Sequence, residues 1–296
     1  MKLTILTATY NRADLLPQLY ESIVNNLYKE LDIEWLIMDD GSTDNTKSVI
    51  NSFKDVKNLT VRYYSQINHG KMQALNNLIG FATGDLVLEC DSDDLIYEDA
   101  FRTIYDTYQR NKKREDLYAF AFLKHDKKDQ NIGQDLIDNK VTTMFDLYFK
   151  DGEDGEKALV FITKIRKKYK YELAKNERFV TEASMFYRMD EEYNIFCINW
   201  PIMICEYQAD GYTKNINKIF RENPYGFYNY FQYLSSRNLQ EIKFGKKMYI
   251  IKHYILFAYL TRQKISLKQV RKIKDKFLLG LLYLPGLIVS KFKFGR

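Results

Sequence analysis

The chain has 296 residues, 46% of them hydrophobic, which suits one large α/β domain with an appendage or two small domains. Only 4 Pro and 13 Gly exclude long disordered linkers. The three cysteines, Cys90, Cys197 and Cys205, have neither framework spacing nor a nearby His, which argues against disulfides and zinc and for a reducing compartment. The net charge of +6 hides an asymmetry: residues 217–296 carry 17 Lys/Arg against 3 Asp/Glu, so a front of net charge −8 precedes a tail of +14. Such a tail suits anionic lipid, acidic substrates or nucleic acid.

Residues 3–9 read as a first strand, too short for a secretory h-region. Asp14 is placed to cap a helix running to about residue 28, with Leu15, Leu16, Leu19, Ile23 and Leu27 on one face. Residues 34–38 form a second strand ending in Asp39-Asp40-Gly41-Ser42, and Asp44 caps a second helix. A third strand at 59–64 and a helix at 71–81 follow, and Thr83-Gly84 breaks that helix. Strand and helix alternating at these intervals predict a parallel sheet with right-handed crossovers.

The apolar run 86–90 then reads as a buried strand that delivers Asp91-Ser92-Asp93-Asp94 at its carboxyl end, where open α/β sheets place their ligands. Carboxylates this close repel one another unless a cation lies between them, and a hard divalent ion with oxygen ligands answers that need while bridging to substrate phosphates. The plainer reading makes Asp94 the N-cap of a helix over 95–110. Beyond Asp116 the spacing predicts a strand at 117–123, a loop over 124–139, helices at 157–169 and 181–188, and short strands at 195–198 and 202–207. The basic region past Gly211 is helical, and no run reaches the roughly 20 apolar residues a spanning helix needs. The apolar stretch 277–289, broken by Pro285-Gly286 and flanked by lysines, fits an interfacial anchor on an anionic membrane, or else a terminal helix docked on the core.

Four segments, Leu6-Thr7-Ala8-Thr9-Tyr10-Asn11-Arg12, Met38-Asp39-Asp40-Gly41-Ser42-Thr43-Asp44, His69-Gly70-Lys71 with Ala74, Asn76 and Asn77, and Gly84-Asp85 leading to Asp91-Ser92-Asp93-Asp94, resemble in order and spacing the family 2 glycosyltransferases of the GT-A fold. The resemblance is detailed over residues 1–110, looser to about 215, and extends to bacterial members that build capsule or other cell-envelope polysaccharides. It implies a GT-A catalytic domain over 1–215, with 1–110 as nucleotide-binding part and 111–215 as acceptor part, followed by a basic helical tail over 216–296. It also implies a nucleotide-diphosphate-sugar donor, most often a UDP-sugar, an inverting transfer, Mn2+ or Mg2+ as cofactor, and a glycan acceptor that is lipid-linked. The site would lie on the cytoplasmic face of the membrane, with the protein held there peripherally.

Residue by residue, the resemblance makes Thr7, Ala8, Thr9 and Tyr10 the strand end that meets the base, with Tyr10 able to stack on it. Asp40 would accept from the uracil ring NH, although an Asx turn is its plain alternative. Lys71, at a helix N-terminus, would face the diphosphate. Asp91 and Ser92 would contact the donor, and Asp93, with Asp91, would hold the metal. An inverting transfer needs a general base opposite the departing diphosphate. The segment Arg178-Phe179-Val180-Thr181-Glu182-Ala183-Ser184 resembles the one that carries it, with Thr181 as cap and Glu182 as the base; Glu177 and Asp210 are the alternatives. Tyr187, Phe186 and Trp200 could stack on sugars, though most such aromatics are core. A nucleotidyltransferase would need a glycine-rich cradle after the first strand, which Thr7-Ala8-Thr9-Tyr10-Asn11-Arg12 lacks. A non-catalytic nucleotide-sugar-binding or scaffold protein is the other alternative; no nucleic-acid motif accompanies the basic tail.

Overall fold

The computed structural model describes residues 1–205 and 215–265, with Lys276, Leu279 and Gly280. Asp210 and the apolar stretch 277–289 of the tail lie outside the described residues, apart from Leu279 and Gly280. In chain order the first half runs β1 (Lys2–Thr9), α1 (Leu16–Asn25), β2 (Asp32–Asp39), α2 (Thr46–Ser52), β3 (Leu59–Ser65), α3 (Lys71–Phe81), β4 (Leu86–Glu89), β5 (Leu95–Ile96) and α4 (Ala100–Asn111). The second half runs β6 (Leu117–His125), β7 (Val141–Thr142), α5 (Met144–Asp146) with a π-helical turn after it, β8 (Lys157–Ile162), α6 (Thr163–Arg166), α7 (Ala183–Met189) and β9 (Asn194–Ile204), then α8 (Ile216–Glu222), α9 (Pro224–Ser236) and α10 (Phe244–Thr261).

The described strands form one sheet in the order β3-β2-β1-β4-β8-β6-β9-β5, with β7 on β9. The pairs β3-β2, β2-β1 and β1-β4 are parallel, as the alternation of elements predicts, and their side chains are buried on both faces of β1 and β2. The register brings Thr9 opposite Asp39 and Asp39 opposite Ser65, so the loops after β1, β2 and β4 leave from one edge. Beyond β4 the sheet is mixed, since β8 runs antiparallel to both β4 and β6 while β9 is parallel to β6.

Three expectations are corrected here. Residues 157–162 are strand β8 and not helix, because Ala158 to Phe161 bury both faces between β4 and β6. The strands expected at 195–198 and 202–207 are not separate over the described residues, since β9 runs unbroken from Asn194 to Ile204 through a bulge; residues 206 and 207 lie outside the described residues. Asp94 does not cap a helix, because Leu95–Ile96 pairs with Met203–Ile204 as β5 and α4 begins only at Ala100.

Two apolar layers flank the sheet. One, under α1, α2 and α4, gathers Leu3, Ile5, Trp35, Phe101, Phe120 and Ile202. The other gathers Leu6, Met38, Met72, Phe161 and Met185, and runs on without a break into Phe227, Phe231, Tyr254 and Phe257 of α9 and α10. Helix α10 is apolar around most of its girth, with Ile250, Ile251, Tyr254, Ile255 and Phe257 buried, as expected for a helix enclosed in a core. Among the described residues no helix is long and apolar enough to cross a membrane.

The Asp190 carboxylate fixes the end of α7. It accepts from Tyr118 Oη of β6 at 3.0 Å and from the backbone N–H groups of Met144 and Phe145 at 3.1 and 2.8 Å. Burial pushes its pKa up to about 7 in spite of these donors, against roughly 3.9 in an unfolded chain. Between these values the folded state keeps the proton and the unfolded state loses it, so folding stability falls as pH rises through that window. Urea midpoints should drop between about pH 4 and pH 7, and Asp190→Asn should flatten that slope.

Candidate active site

The site is built at the common edge of β1, β2 and β4. Asn11, in the left-handed region at φ 51°, accepts through Oδ1 from Thr43 N at 2.8 Å, and its own N–H donates to Ser42 Oγ at 2.9 Å. Asp39 accepts from Ser42 N and Tyr63 Oη. Asp44 accepts from Ala13 N and Thr46 N, so it ties the loop after β1 to the start of α2. Much of the polar sequence after β1 and β2 therefore holds two loops against each other.

Asp40 is buried, and its carboxylate accepts from Gln66 Nε2, His69 N and Gly70 N at 2.7, 2.8 and 2.7 Å. These bonds shape the loop that starts α3. Gly70 has φ +92°, and a Cβ there would lie 2.6 Å from the Arg178 carbonyl oxygen, so only glycine fits this approach. The next residue is Lys71. Its Nζ lies 2.7 Å from Asp91 Oδ2 and 3.2 Å from Glu182 Oε1. Burial works to lower the pKa of this ammonium; Asp91 and then Glu182 outweigh that and raise it well above the ordinary lysine value.

The acidic run divides into distinct roles. Burial would raise the Asp91 carboxyl, but Lys71 and then Lys124 lower it. Burial, then the charge of Asp91, raise Asp93. Burial pushes Asp94 up to about 6, opposed by Lys124 and reinforced by Asp91, and Lys124 Nζ lies 3.4 Å from Asp94 Oδ2. Ser92 is buried. Among the described residues no group of three or more His, Cys, Asp or Glu is arranged to hold a metal.

The remaining expected residues fall as follows. Thr7 is fully buried and its Oγ1 accepts from Trp35 Nε1 at 2.9 Å, so its side chain faces the core rather than a ligand. Ala8 packs on the α3 side. Thr9 is buried at the strand end with no hydrogen-bond partner for its Oγ1 among the described residues, an orphan polar atom beside the cleft. Tyr10 is exposed. Glu182 occupies the N-cap position of α7 rather than its first turn, one residue later than expected for Thr181 as the cap. Glu177, the alternative base, accepts from Tyr225 N and Gly226 N at the start of α9, which is a capping role. Tyr187 is buried and Phe186 packs on the same core. Trp200 is exposed on the other layer of the sheet.

Beneath Asp91 lies a buried network that sequence reasoning missed. Arg166, fully buried on α6, donates from Nε to Glu89 Oε1 at 2.7 Å, and Tyr171 Oη donates to Glu89 Oε2 at 2.6 Å. Arg166 Nη2 also lies 2.6 Å from Glu89 Oε1, as an ion pair without hydrogen-bond geometry. Asn76 of α3 exchanges two bonds with the Tyr171 backbone, at 2.8 and 2.9 Å. The one signal in sequence was a charged Glu89 at the end of an otherwise apolar run.

The model of glycosyl transferase family 2 matches residues 4–190. The chain belongs to that family. It is 37% identical over 127 residues to an uncharacterized glycosyltransferase of Mycoplasma genitalium, covering 42% of each protein. It is 30% identical over 148 residues to a poly(ribitol-phosphate) beta-glucosyltransferase of Bacillus spizizenii, covering 48% of this chain but 23% of that protein. The chain thus spans less than half the length of either of these relatives. Over nearly its whole length (97%, and 92% of the relative) it is 24% identical to the GalNAc(5)-diNAcBac-PP-undecaprenol beta-1,3-glucosyltransferase of Campylobacter jejuni. Among solved structures, S. aureus TarS 1-349 in complex with UDP-GlcNAc superposes with a TM-score of 0.61 at 16% identity, over 100% of this chain and 93% of that one. A Pyrobaculum calidifontis mannosyltransferase in complex with GDP-Man and Mn2+ gives 0.56 at 15%, over 98% and 83%. The fold is GT-A, a mostly parallel sheet flanked by helices, with further helices at the C-terminal side.

Removing Arg166 tests the layer under the site. Arg166→Met should leave the Glu89 carboxylate buried without its cation and lower stability by about 3–5 kcal/mol, read by urea unfolding. Pairing it with Glu89→Gln should recover a large part of that loss.

Proposed function

We propose that this chain is an inverting glycosyltransferase that moves a sugar from a nucleotide-diphosphate sugar, a UDP-sugar before others, to a hydroxyl of a lipid-linked glycan in bacterial surface-polysaccharide synthesis. The observation that carries this reading is the Lys71 ammonium, within 2.7 Å of Asp91 on the strand side and 3.2 Å of Glu182 on the helix side. One cationic point thereby brings a donor-side carboxylate and a candidate base to opposite walls of one cleft. The UDP-GlcNAc complex of TarS and the undecaprenol-linked glycan in the name of the Campylobacter relative support the choice of donor and acceptor class.

Asp91 and Asp93 offer the oxygen donors a hard divalent ion takes; burial first, and then the charge of Asp91, hold the Asp93 carboxyl up. These residues fit Mn2+ or Mg2+ with phosphate and water completing its coordination, and Asp93, with Asp91, would hold it. The ion, when bound, would supply charge neutralisation on the leaving nucleoside diphosphate.

The chain's own groups do the rest. Tyr10 stacks on the base, and Thr9 Oγ1, without a partner among the described residues, gains one in the donor. Asp40, with three of about four acceptor positions engaged by the loop, keeps one for the base. Lys71 moves its charge toward the diphosphate, which releases Glu182 Oε1 to take the proton of the attacking hydroxyl. The hydroxyl oxygen forms its bond to the anomeric carbon as the carbon–oxygen bond to the diphosphate breaks on the other face, so the configuration inverts. The basic residues past 216 draw the protein to an anionic membrane surface, where a lipid-linked acceptor is found.

Calorimetric titration with UDP, GDP and dTDP, with and without Mn2+, tests the donor side. UDP should bind best and depend on the metal, and Asp93→Ala should abolish that dependence; no nucleotide binding under either condition would reject the reading. On the acceptor side, Glu182→Gln should keep UDP binding and slow transfer by about 10²–10⁴-fold. Full transfer by that variant would remove Glu182 as the base.

A further inference from the structure

On the other layer of the sheet, away from α7 and Glu182, a hollow of about 370 Å³ lies between α4 and β9. That volume is in the range of small-molecule sites. Its origin is the bulge in β9. Cys197 pairs with Ala121 and Pro201 with Leu123, so Ile198, Asn199 and Trp200 stand opposite the single residue Phe122. The bulge pushes Trp200 into solvent, where it is 47% exposed, although it sits on a central stretch of a long strand. Strand β9 lies three steps along the sheet from β4, about 14 Å at the usual strand spacing.

The wall around Trp200 is polar and partly fixed. Asp138 Oδ1 accepts from Asn199 N at 3.1 Å, and Asn199 Oδ1 accepts from Leu136 N at 2.9 Å. This leaves the Asn199 NH2 group as a donor with no described partner. Across the hollow, α4 lines it with Asp106, Arg110 and Asn111, whose spacing of i, i+4 and i+5 places them along one side of the helix. The Asn111 Nδ2 donates to the Thr107 carbonyl, which leaves its Oδ1 as an acceptor.

An exposed indole face beside planar amide, carboxylate and guanidinium groups is the chemistry that binds a sugar ring. The apolar C–H face of a pyranose covers the indole, and vicinal hydroxyls pair with planar side chains that offer two atoms each. Two carboxylates against one guanidinium give the hollow no surplus of positive charge, which disfavours a polyphosphate or nucleic acid and favours a neutral glycan. We propose that the α4–β9 hollow is a second, non-catalytic carbohydrate site, which holds one or two neutral sugar units of a glycan chain outside the cleft. It stands whether or not the catalytic reading holds, since its residues are not shared with that site.

The chain has two tryptophans, and Trp35 is fully buried, so ligand-dependent emission reports on Trp200. Fluorescence of the full chain would be titrated with cellotetraose, chitotetraose and maltotetraose up to about 10 mM, the range in which a weak sugar site saturates. A saturable change in emission with at least one of them is expected, unchanged in Asp93→Ala and Glu182→Gln. Calorimetry should show binding weakened about tenfold or more in Trp200→Ala and in Asn199→Ala, and partly kept in Trp200→Phe. No response to any of the three sugars overturns the proposal. So does a response that disappears in the cleft variants, which would put the sugar in the catalytic site, or affinity unchanged in both Trp200→Ala and Asn199→Ala.

Discussion

A single ammonium holds the two halves of the site together. Lys71 stands at the first turn of α3, where the glycine before it lets the chain pass within van der Waals contact of the Arg178 backbone. From there it reaches Asp91, at the end of the central strand, and Glu182, more than a hundred residues later. A lysine suits this place better than an arginine. Its charge is concentrated at one atom with three rotatable donors, so two can meet carboxylates on different elements while the third stays available to an anion. Without that cation, Asp91 and Glu182 would be two like charges facing one another across one cleft.

The polar residues around the cleft separate into those that shape it and those that face it. Asp39, Asp40, Asn11 and Asp44 each accept backbone N–H groups from a loop other than their own or from the turn that follows. Burying such groups without partners would cost more than the bonds return, so every loop is tied to its neighbour before any ligand arrives. Glu89 and Arg166 do the same one layer deeper, joined to α3 through Tyr171 and Asn76. Asp91, Asp93 and Lys71 are left with charge directed at each other and at the opening, which is where a ligand's own charge changes the balance.

The parallel half of the fold was legible because its strands are continuous apolar runs and its helices have one apolar face. Asp44 marked the start of its helix, but the N-cap position belongs to Asn45, and the Asp44 carboxylate accepts from Thr46 N from one residue further out. Where position in the sheet decided the outcome, local pattern failed. Ala158 to Phe161 is an apolar run between basic residues that reads equally as helix, and only its place between β4 and β6 makes it a strand. Leu95–Ile96 became a strand because β9 lies beside it, a neighbour that Asp94 as a helix cap could not reveal. The same limit applies to the site. The acidic run, Asp40 and Lys71 stood out as short motifs, whereas the Lys71–Glu182 contact and the Arg166 pair depend on residues 111 and 77 apart in sequence.

The position of the cleft follows from topology. After β1 the chain builds β2 and β3 on one side of it and then crosses to add β4 on the other. Loops leaving adjacent strands toward opposite sides open a crevice at their carboxyl ends, the place where open α/β sheets take ligands. Thr9 ends β1 and Asp91 follows β4, so they flank that crevice, and the buried hydroxyl of Thr9 has no partner among the described residues. An unpaired buried polar atom is uncommon in a settled interior, and Thr9 Oγ1 is one that falls at the topological switch point. The antiparallel β8 completes the arrangement. It covers the free edge of β4 and carries α6 back under the crevice, so Arg166 stands beneath the acidic run and Glu89, the last residue of β4, is held in place where Asp91 must emerge.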